Sequence, residues 1–279
     1  MATKEYRQAG LEIWEAMAAG WDRRRDWMWG ATRAAGEWMA DALDPKPGHT
    51  VLELACGVGD TGFAAAAALG NDGRLIATDF AGEMVEAARR RAEELGVTNA
   101  EFRVMDAERM DLDDDSVDGV LCRWGYMLMA DIPAALEETR RVLRPGGRLA
   151  MSVWGTPDRN PWASVPGRVI REHTGAPPPD PTAPGIFAMG KPERTRELLE
   201  SAGFEVQRLK LVEVEYWFES ADEHWTFVRE LAGALAVLIR DMPPDEQEQV
   251  REELLAAIAP FEEDGGYRMP GAALNALAV

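Results

Sequence analysis

The chain has 279 residues, 46% of them hydrophobic and 28% charged, a globular composition with material for one large domain or two small ones. Its 30 basic and 49 acidic residues leave a net charge of −19, a field that repels nucleic-acid phosphates and anionic membrane surfaces. Two cysteines, Cys56 and Cys122, exclude a disulfide scaffold and a cysteine-built zinc site, and His49, His173 and His224 are too scattered to suggest a metal enzyme.

No uncharged run approaches the ~20 residues that span a bilayer. Lys4, Glu5, Arg7, Glu12 and Glu15 interrupt any signal-peptide core near the start. The expectation is a cytoplasmic protein with no membrane insertion.

Residues 1–43 have helical character and carry Trp14, Trp21, Trp27, Trp29 and Trp38. Trp14, Met17, Trp21 and Met28 fall near one helical face, which predicts an N-terminal helical lid. Asp44-Pro45-Lys46-Pro47-Gly48 breaks the helix. Short apolar runs then predict strands over 51–55, 74–78, 101–105, 117–122 and 148–154. Helical spacing predicts helices over 61–69, 83–95 and 133–143, the second closed by Gly96 and the third by Pro145-Gly146-Gly147. Alternation at this rhythm predicts an α/β fold, a doubly wound parallel sheet.

A Pro/Gly-rich connection is expected from 155 to about 190. Pro192 opens a helix to Ala202, and Glu205–Phe218 reads as a long strand. Ser220-Ala-Asp-Glu223 resembles a capping box opening a helix through Ile239. A further helix fits 245–259, and 267–279 a final strand. The expected organisation is a lid over 1–43, a core over 44–218, a helical cap inserted over 219–265, and a last core strand over 266–279.

The first strand delivers Glu53-Leu-Ala-Cys56-Gly57-Val58-Gly59-Asp60-Thr61-Gly62, with Gly57, Gly59 and Gly62 as G-x-G-x-x-G at a strand-to-helix turn. Glycines there let the chain turn tightly and a ligand approach closely. Asp79 ends the second strand, where an acid accepts hydrogen bonds from ribose hydroxyls. Asp106 ends the third strand, to take an adenine amino group or to cap the short turn Ala107–Met110. Glu53 and Asp60 beside the loop would repel a pyrophosphate and favour a cationic cofactor.

The runs Val51–Gly62, Ile76–Asp79, Val104–Ala107, Leu112–Asp118 and Arg141–Gly147 resemble those of class I S-adenosylmethionine-dependent methyltransferases. The similarity covers about residues 45–155 and is greatest to the ubiquinone/menaquinone-biosynthesis group. It implies a Rossmann-like, seven-stranded sheet with an antiparallel last strand, and S-adenosyl-L-methionine as cofactor. By position, Gly57 and Gly59 would pass under the methionine part, and Glu53 would hold the loop or act through water. Asp79 would grip the ribose, Phe80 and Met84 would pack on the adenine, and Asp106 and Ala107 would read its edge. Arg123 would close the site near the transferring methyl. Asp60 departs from the small or uncharged residues common after the second glycine; its role is open, with pointing to solvent as one reading.

Trp14, Trp21, Tyr126, Met127, Trp154 and Trp225 are the candidates for a substrate pocket suited to a small, largely apolar molecule, with Trp162 and Trp217 in the same segments. Cys56 reads as a structural thiol. His173 and His224 read as surface residues, with a general base as the sharper alternative. The acidic run 111–118 reads as a solvated loop. The expected function is methyl transfer to an O, N or C nucleophile. An NAD(P)-dependent oxidoreductase and a non-catalytic S-adenosylmethionine-binding protein are the rivals.

Overall fold

The computed structural model describes residues 3–180 and 183–279. Met1 and Ala2 of the expected lid, and Pro181 and Thr182 of the expected connection, lie outside the described residues. The parallel strands are β1 (Thr50–Leu54), β2 (Arg74–Asp79), β3 (Ala100–Val104), β4 (Val117–Arg123) and β5 (Leu143–Trp154). β1, β2 and β4 are buried on both faces, which is why they read as nearly continuous apolar runs. The helices between them are α2 (Asp60–Ala66), α3 (Gly82–Leu95) and α4 (Ile132–Val142). Gly96 ends α3 in the left-handed region at φ 68°, and the Asp131 carboxylate caps α4 by accepting from the Ala134 N–H at 3.1 Å.

α5 (Pro161–Thr174), α6 (Pro192–Ser201) and β6 (Val206–Phe218) follow, then α7 (Ala221–Leu231), α8 (Ala234–Asp241) and α9 (Pro244–Ile258). The two-residue β7 (Glu262–Glu263) and the long β8 (Gly266–Ala278) complete the sheet. Its order is β3-β2-β1-β4-β5-β8-β6, with β8 antiparallel to both neighbours and β7 paired to β8 off the main path. The order reverses between β1 and β4, the crevice where open α/β sheets bind ligands.

Several expectations are corrected. The sheet has eight strands rather than seven, because β7 adds a short pairing. The connection after Trp154 contains α5, which Pro161, Pro166 and Gly167 hide in the sequence. Pro161 sits at the helix start, and Pro166 forfeits one backbone bond while Trp162, Val169 and Ile170 bury one face. The expected helix through Ile239 breaks at Gly233, which adopts φ 58°, and becomes α7 and α8.

The predicted lid is one continuous helix, α1 (Thr3–Leu43), of 41 residues and thus about 60 Å at 1.5 Å per residue. Its two halves do different work. Met28, Ala35, Met39 and Leu43 are buried against the sheet face, with Leu43 seated over Gly119. The N-terminal half overhangs the carboxyl edge: Glu15 accepts from the Gly82 N–H at 2.7 Å at the start of α3, and Arg7 reaches Asp106 at 3.3 Å. A second overhang faces it. β5 stops at Trp154, opposite Ala273, but β6 and β8 pair on from Val212–Ala273 to Phe218–Tyr267. α7 to α9 fill the chain between those two strands.

Candidate functional site

The glycine loop joins β1 to α2 at the crevice. Gly57 lies at φ 53° and Gly59 at φ 90°, conformations that cost an L-residue energy. A Cβ on Gly59 would strike the Phe63 ring, and one on Gly62 would strike the Glu53 carboxylate and lie 2.9 Å from Leu75. The loop thus needs glycine for turn geometry and for close packing.

Asp79 is 7% exposed at the end of β2. One carboxylate oxygen accepts from the Gly57 N–H at 3.0 Å and the other from the Ala81 N–H at 3.0 Å. Burial pushes its pKa up to about 6 against the opposing pull of those N–H groups. Glu53 is 2% exposed; one oxygen accepts from the Gly62 N–H at 2.8 Å and the other has no partner among the described residues. Burial raises its pKa to about 8. A buried carboxyl with an unpaired oxygen favours a cation beside it once it ionises.

Asp106 is held from two sides. One oxygen accepts from the Glu108 N–H at 2.9 Å, the turn-capping role, and the other faces Arg7 of α1. Arg7 also pairs with Glu108. Ala107 is buried beside it. Met84 is buried with Ala18 and Ala81 in a small cluster flanked by Trp14 and Trp21, and half-buried Phe80 faces Gly10 of α1. Trp14 and Trp21 therefore stand beside Ala81 and Met84, and Trp21 also packs against the cluster that holds Tyr126, Met127, Trp154 and Trp225.

Arg123 ends β4 on the face covered by α1. Its guanidinium lies 4.5 Å from the Trp124 ring and 5.3 Å from the Trp29 ring, and donates to the Thr32 hydroxyl at 3.0 Å. Burial lowers its pKa while Asp60 and Glu53 oppose that shift. Asp60 is buried, not solvated: it faces Arg91 at 3.6 Å, and burial raises its pKa. Trp124 itself adopts φ 62°, a costly conformation for a bulky residue, and stacks on Trp154 with centroids 4.2 Å apart and planes at 18°.

From Trp154 a chain of aromatic contacts runs upward between the two overhangs. Trp162 lies 4.6 Å from Trp154 and 4.8 Å from Tyr216, and Trp27 packs on Tyr216, Phe218 and Phe227 at 5.3–5.7 Å. The sequence reading missed Trp27, Trp29, Tyr216, Phe218, Phe227 and the contribution of Trp124. Alternation along β6, with Val212, Val214, Tyr216 and Phe218 buried, was the available signal.

Several further residues sit differently from expectation. Tyr126 is fully buried with its hydroxyl 2.7 Å from Thr139 of α4, so it packs against that helix. The Met127 sulfur accepts from the Trp154 N–H at 3.5 Å. Trp225 is buried under the Arg229 guanidinium at 5.8 Å. His224 is 0% exposed, against the expected surface role; it packs on Phe218 at 4.9 Å, and burial lowers its pKa to about 4. His173 is mostly buried and faces Glu253 of α9 at 3.3 Å. Cys56 is buried with its pKa raised by burial, consistent with an inert thiol. Trp217 points outward under Arg268.

Strand order, glycine loop and the acids on β1 and β2 are those of class I S-adenosylmethionine-dependent methyltransferases, and similarity to known methyltransferases supports that class. Residues 51–147 match the model of a methyltransferase domain. A ubiquinone/menaquinone biosynthesis C-methyltransferase, UbiE of Acidiphilium cryptum, is 36% identical over 146 residues, 52% of this chain and 58% of that protein. Nocamycin O-methyltransferase of Saccharothrix syringae is 29% identical over 228 residues, 78% of this chain and 80% of its own length. The chain spans less than two thirds of the length of several curated relatives, 37% to 63% for five of them. The crystal structure of the YcgJ protein from Bacillus subtilis shares the fold, with a TM-score of 0.59 at 20% identity over 88% of this chain and 97% of that one. No helix among the described residues is long and apolar enough to cross a membrane.

Proposed function

We propose that the protein transfers a methyl group from S-adenosyl-L-methionine to an O, N or C nucleophile of a small, largely apolar molecule. The observation that carries this reading is the Asp79 carboxylate, fixed by the N–H groups of two different loops at the crevice. It is positioned to accept from two vicinal ribose hydroxyls. Gly57 and Gly59 let the methionine end lie against bare backbone, and Glu53 and Asp60 suit its positive charges better than a pyrophosphate. Met84 and Phe80 form the adenine shelf beside Asp106 and Ala107, with Arg123 toward the reacting end.

The bound cofactor supplies an activated methyl on a sulfonium. The chain's part is to orient and to exclude water, which proximity alone makes effective. α1 closes over the adenosine side through Arg7, Glu15 and Trp21, while Trp27, Trp154 and Trp162 flank the acceptor side. The relatives named above for C- and O-methylation support a small-molecule acceptor, and the charge of −19 disfavours nucleic acid. The same charge and the lack of an apolar span among the described helices support a cytoplasmic location.

Calorimetry with S-adenosylhomocysteine and with NADH tests the reading. S-adenosylhomocysteine binds, NADH does not, and Asp79→Ala weakens the first by about 1–3 kcal/mol, roughly fivefold to 150-fold. Binding of NADH alone would replace the methyltransferase reading with that of an oxidoreductase.

A further inference from the structure

Arg123 stands where the two sides of the site meet. Glu53 of β1 and Asp60 of α2 face it from the glycine loop, Thr32 of α1 accepts its hydrogen bond, and Tyr216 of β6 faces it from the aromatic side. A guanidinium carries five N–H donors, and one bond to Thr32 uses a single donor. Among the described residues no carboxylate lies within 4 Å of it in an ion pair; Asp60 pairs with Arg91 at 3.6 Å instead. Glu53, with its pKa near 8, is largely neutral at pH 7 in the cofactor-free chain. The charge is partly accessible, clasped between the Trp29 and Trp124 rings, and not neutralised by a direct partner. Holding a cation partly withdrawn from water in this way is costly unless an anion arrives.

We infer that Arg123 anchors an anionic methyl acceptor, the ionised hydroxyl of a planar, largely apolar molecule such as a phenolate or an enolate. The inference rests on the methyl-transfer reading above. An anion here has two sources, the α-carboxylate of the cofactor and the acceptor's oxyanion. Of the rings that clasp Arg123, Trp29 lies beside Thr61 at the glycine loop, whereas Trp124 stacks on Trp154, which leads to Trp162 and Tyr216, and this second ring system favours the acceptor. These rings are largely buried against one another, and the apolar wall they form suits packing of a conjugated ring beside it. Arg123 lowers the acceptor's pKa, so its proton leaves to solvent before transfer and no histidine is required. The oxyanion lone pair then forms the O–CH3 bond as the S–CH3 bond breaks, and the bonding pair returns to sulfur. One cation and one anion become two neutral products, and no further reactant is needed.

The test uses 7-hydroxycoumarin, whose ionisation shifts its absorption, and its neutral counterpart 7-methoxycoumarin, with the protein free and loaded with S-adenosylhomocysteine. The expected result is a bound hydroxycoumarin ionisation midpoint lower by about one pH unit or more. In Arg123→Gln that shift disappears and hydroxycoumarin binding drops at least tenfold, while methoxycoumarin binding stays within about twofold; Arg123→Lys recovers part of the shift. S-adenosylhomocysteine affinity stays within about threefold in both variants, which also shows that they fold. The inference is overturned if wild type binds both probes alike or neither, or if Arg123→Gln leaves the midpoint unchanged. It is equally overturned if Arg123→Gln instead costs tenfold in S-adenosylhomocysteine affinity, which would assign the guanidinium to the cofactor carboxylate. Failure of the methyl-transfer reading looks different: wild type itself would not bind S-adenosylhomocysteine.

Discussion

The two sides of the crevice that we propose hold the cofactor and the acceptor are built by opposite means. On the cofactor side, at the ends of β1, β2 and β3, few side chains matter and the backbone holds them: Asp79 and Glu53 are fixed by N–H groups of the turns they flank. On the acceptor side, rings from α1, β4, β5, α5, β6 and α7 hold one another with little hydrogen bonding. The first kind of site is local and survives sequence drift as a spaced motif. The second depends on elements far apart in the chain and is free to change with the acceptor.

The comparison breaks most visibly at Trp162. Its ring touches Trp154 and Tyr216, and its indole N–H donates to Asn160 at 3.0 Å. Trp162→Ala is expected to cost about 3–5 kcal/mol of stability by denaturant titration, with S-adenosylhomocysteine affinity retained in the folded fraction. Lost affinity at unchanged stability would mean the two sides are one unit.

pH sharpens the cofactor side. Glu53 titrates near 8 when folded against 4.5 as its ordinary value, so the folded chain binds more protons between those values and stability falls as pH rises through them. Asp79, raised from 3.8 to about 6, acts in the same sense at lower pH, as does Asp60. His224, lowered from 6.5 to about 4, acts oppositely, its contribution being lost as pH falls below 6.5. Between pH 6.5 and 8 Glu53 is the main contributor among these groups, with a slope of at most about 1.4 kcal/mol per unit. Stability of the cofactor-free protein should decline across that window, and Glu53→Gln should flatten it. An equally steep decline in the variant would point to another group.

Tyr126→Phe probes a residue that the sequence places in the acceptor pocket and the structure buries against α4. Losing its contact with Thr139 should cost about 1 kcal/mol in stability and leave acceptor-probe binding unchanged. Altered probe binding would return Tyr126 to the pocket. The smallest effect is expected from Arg7→Ala, which releases α1 from Asp106 and Glu108. A half-exposed pair contributes less than about 1 kcal/mol, so the readout is kinetic: faster dissociation of S-adenosylhomocysteine in stopped flow. Unchanged dissociation would show that the overhang does not gate the cofactor.

The sequence by itself determined the sheet's first five strands, the glycine loop and the acids at its rim. Each of these depends on residues within a few positions: apolar runs for buried strands, glycine where φ is positive, an acid at a strand's end. The same locality made Gly96 and the capping box at Ser220 readable, the latter seen as Ser220 accepting from the Glu223 N–H at 3.1 Å. Only the tertiary structure decided the rest. α5 was hidden because Pro161 and Pro166 read locally as breaks, while burial of Trp162, Val169 and Ile170 outweighs one missing backbone bond. Tryptophans in one stretch of α1 went to different places, Trp21 to Met84 and Trp27 to Tyr216, because a long helix turns successive side chains toward different partners. His224 and Asp60 looked solvated and are buried, since polarity in sequence does not report what packs above a residue. The aromatic side has no motif because six elements contribute to it, and which faces meet is settled by packing.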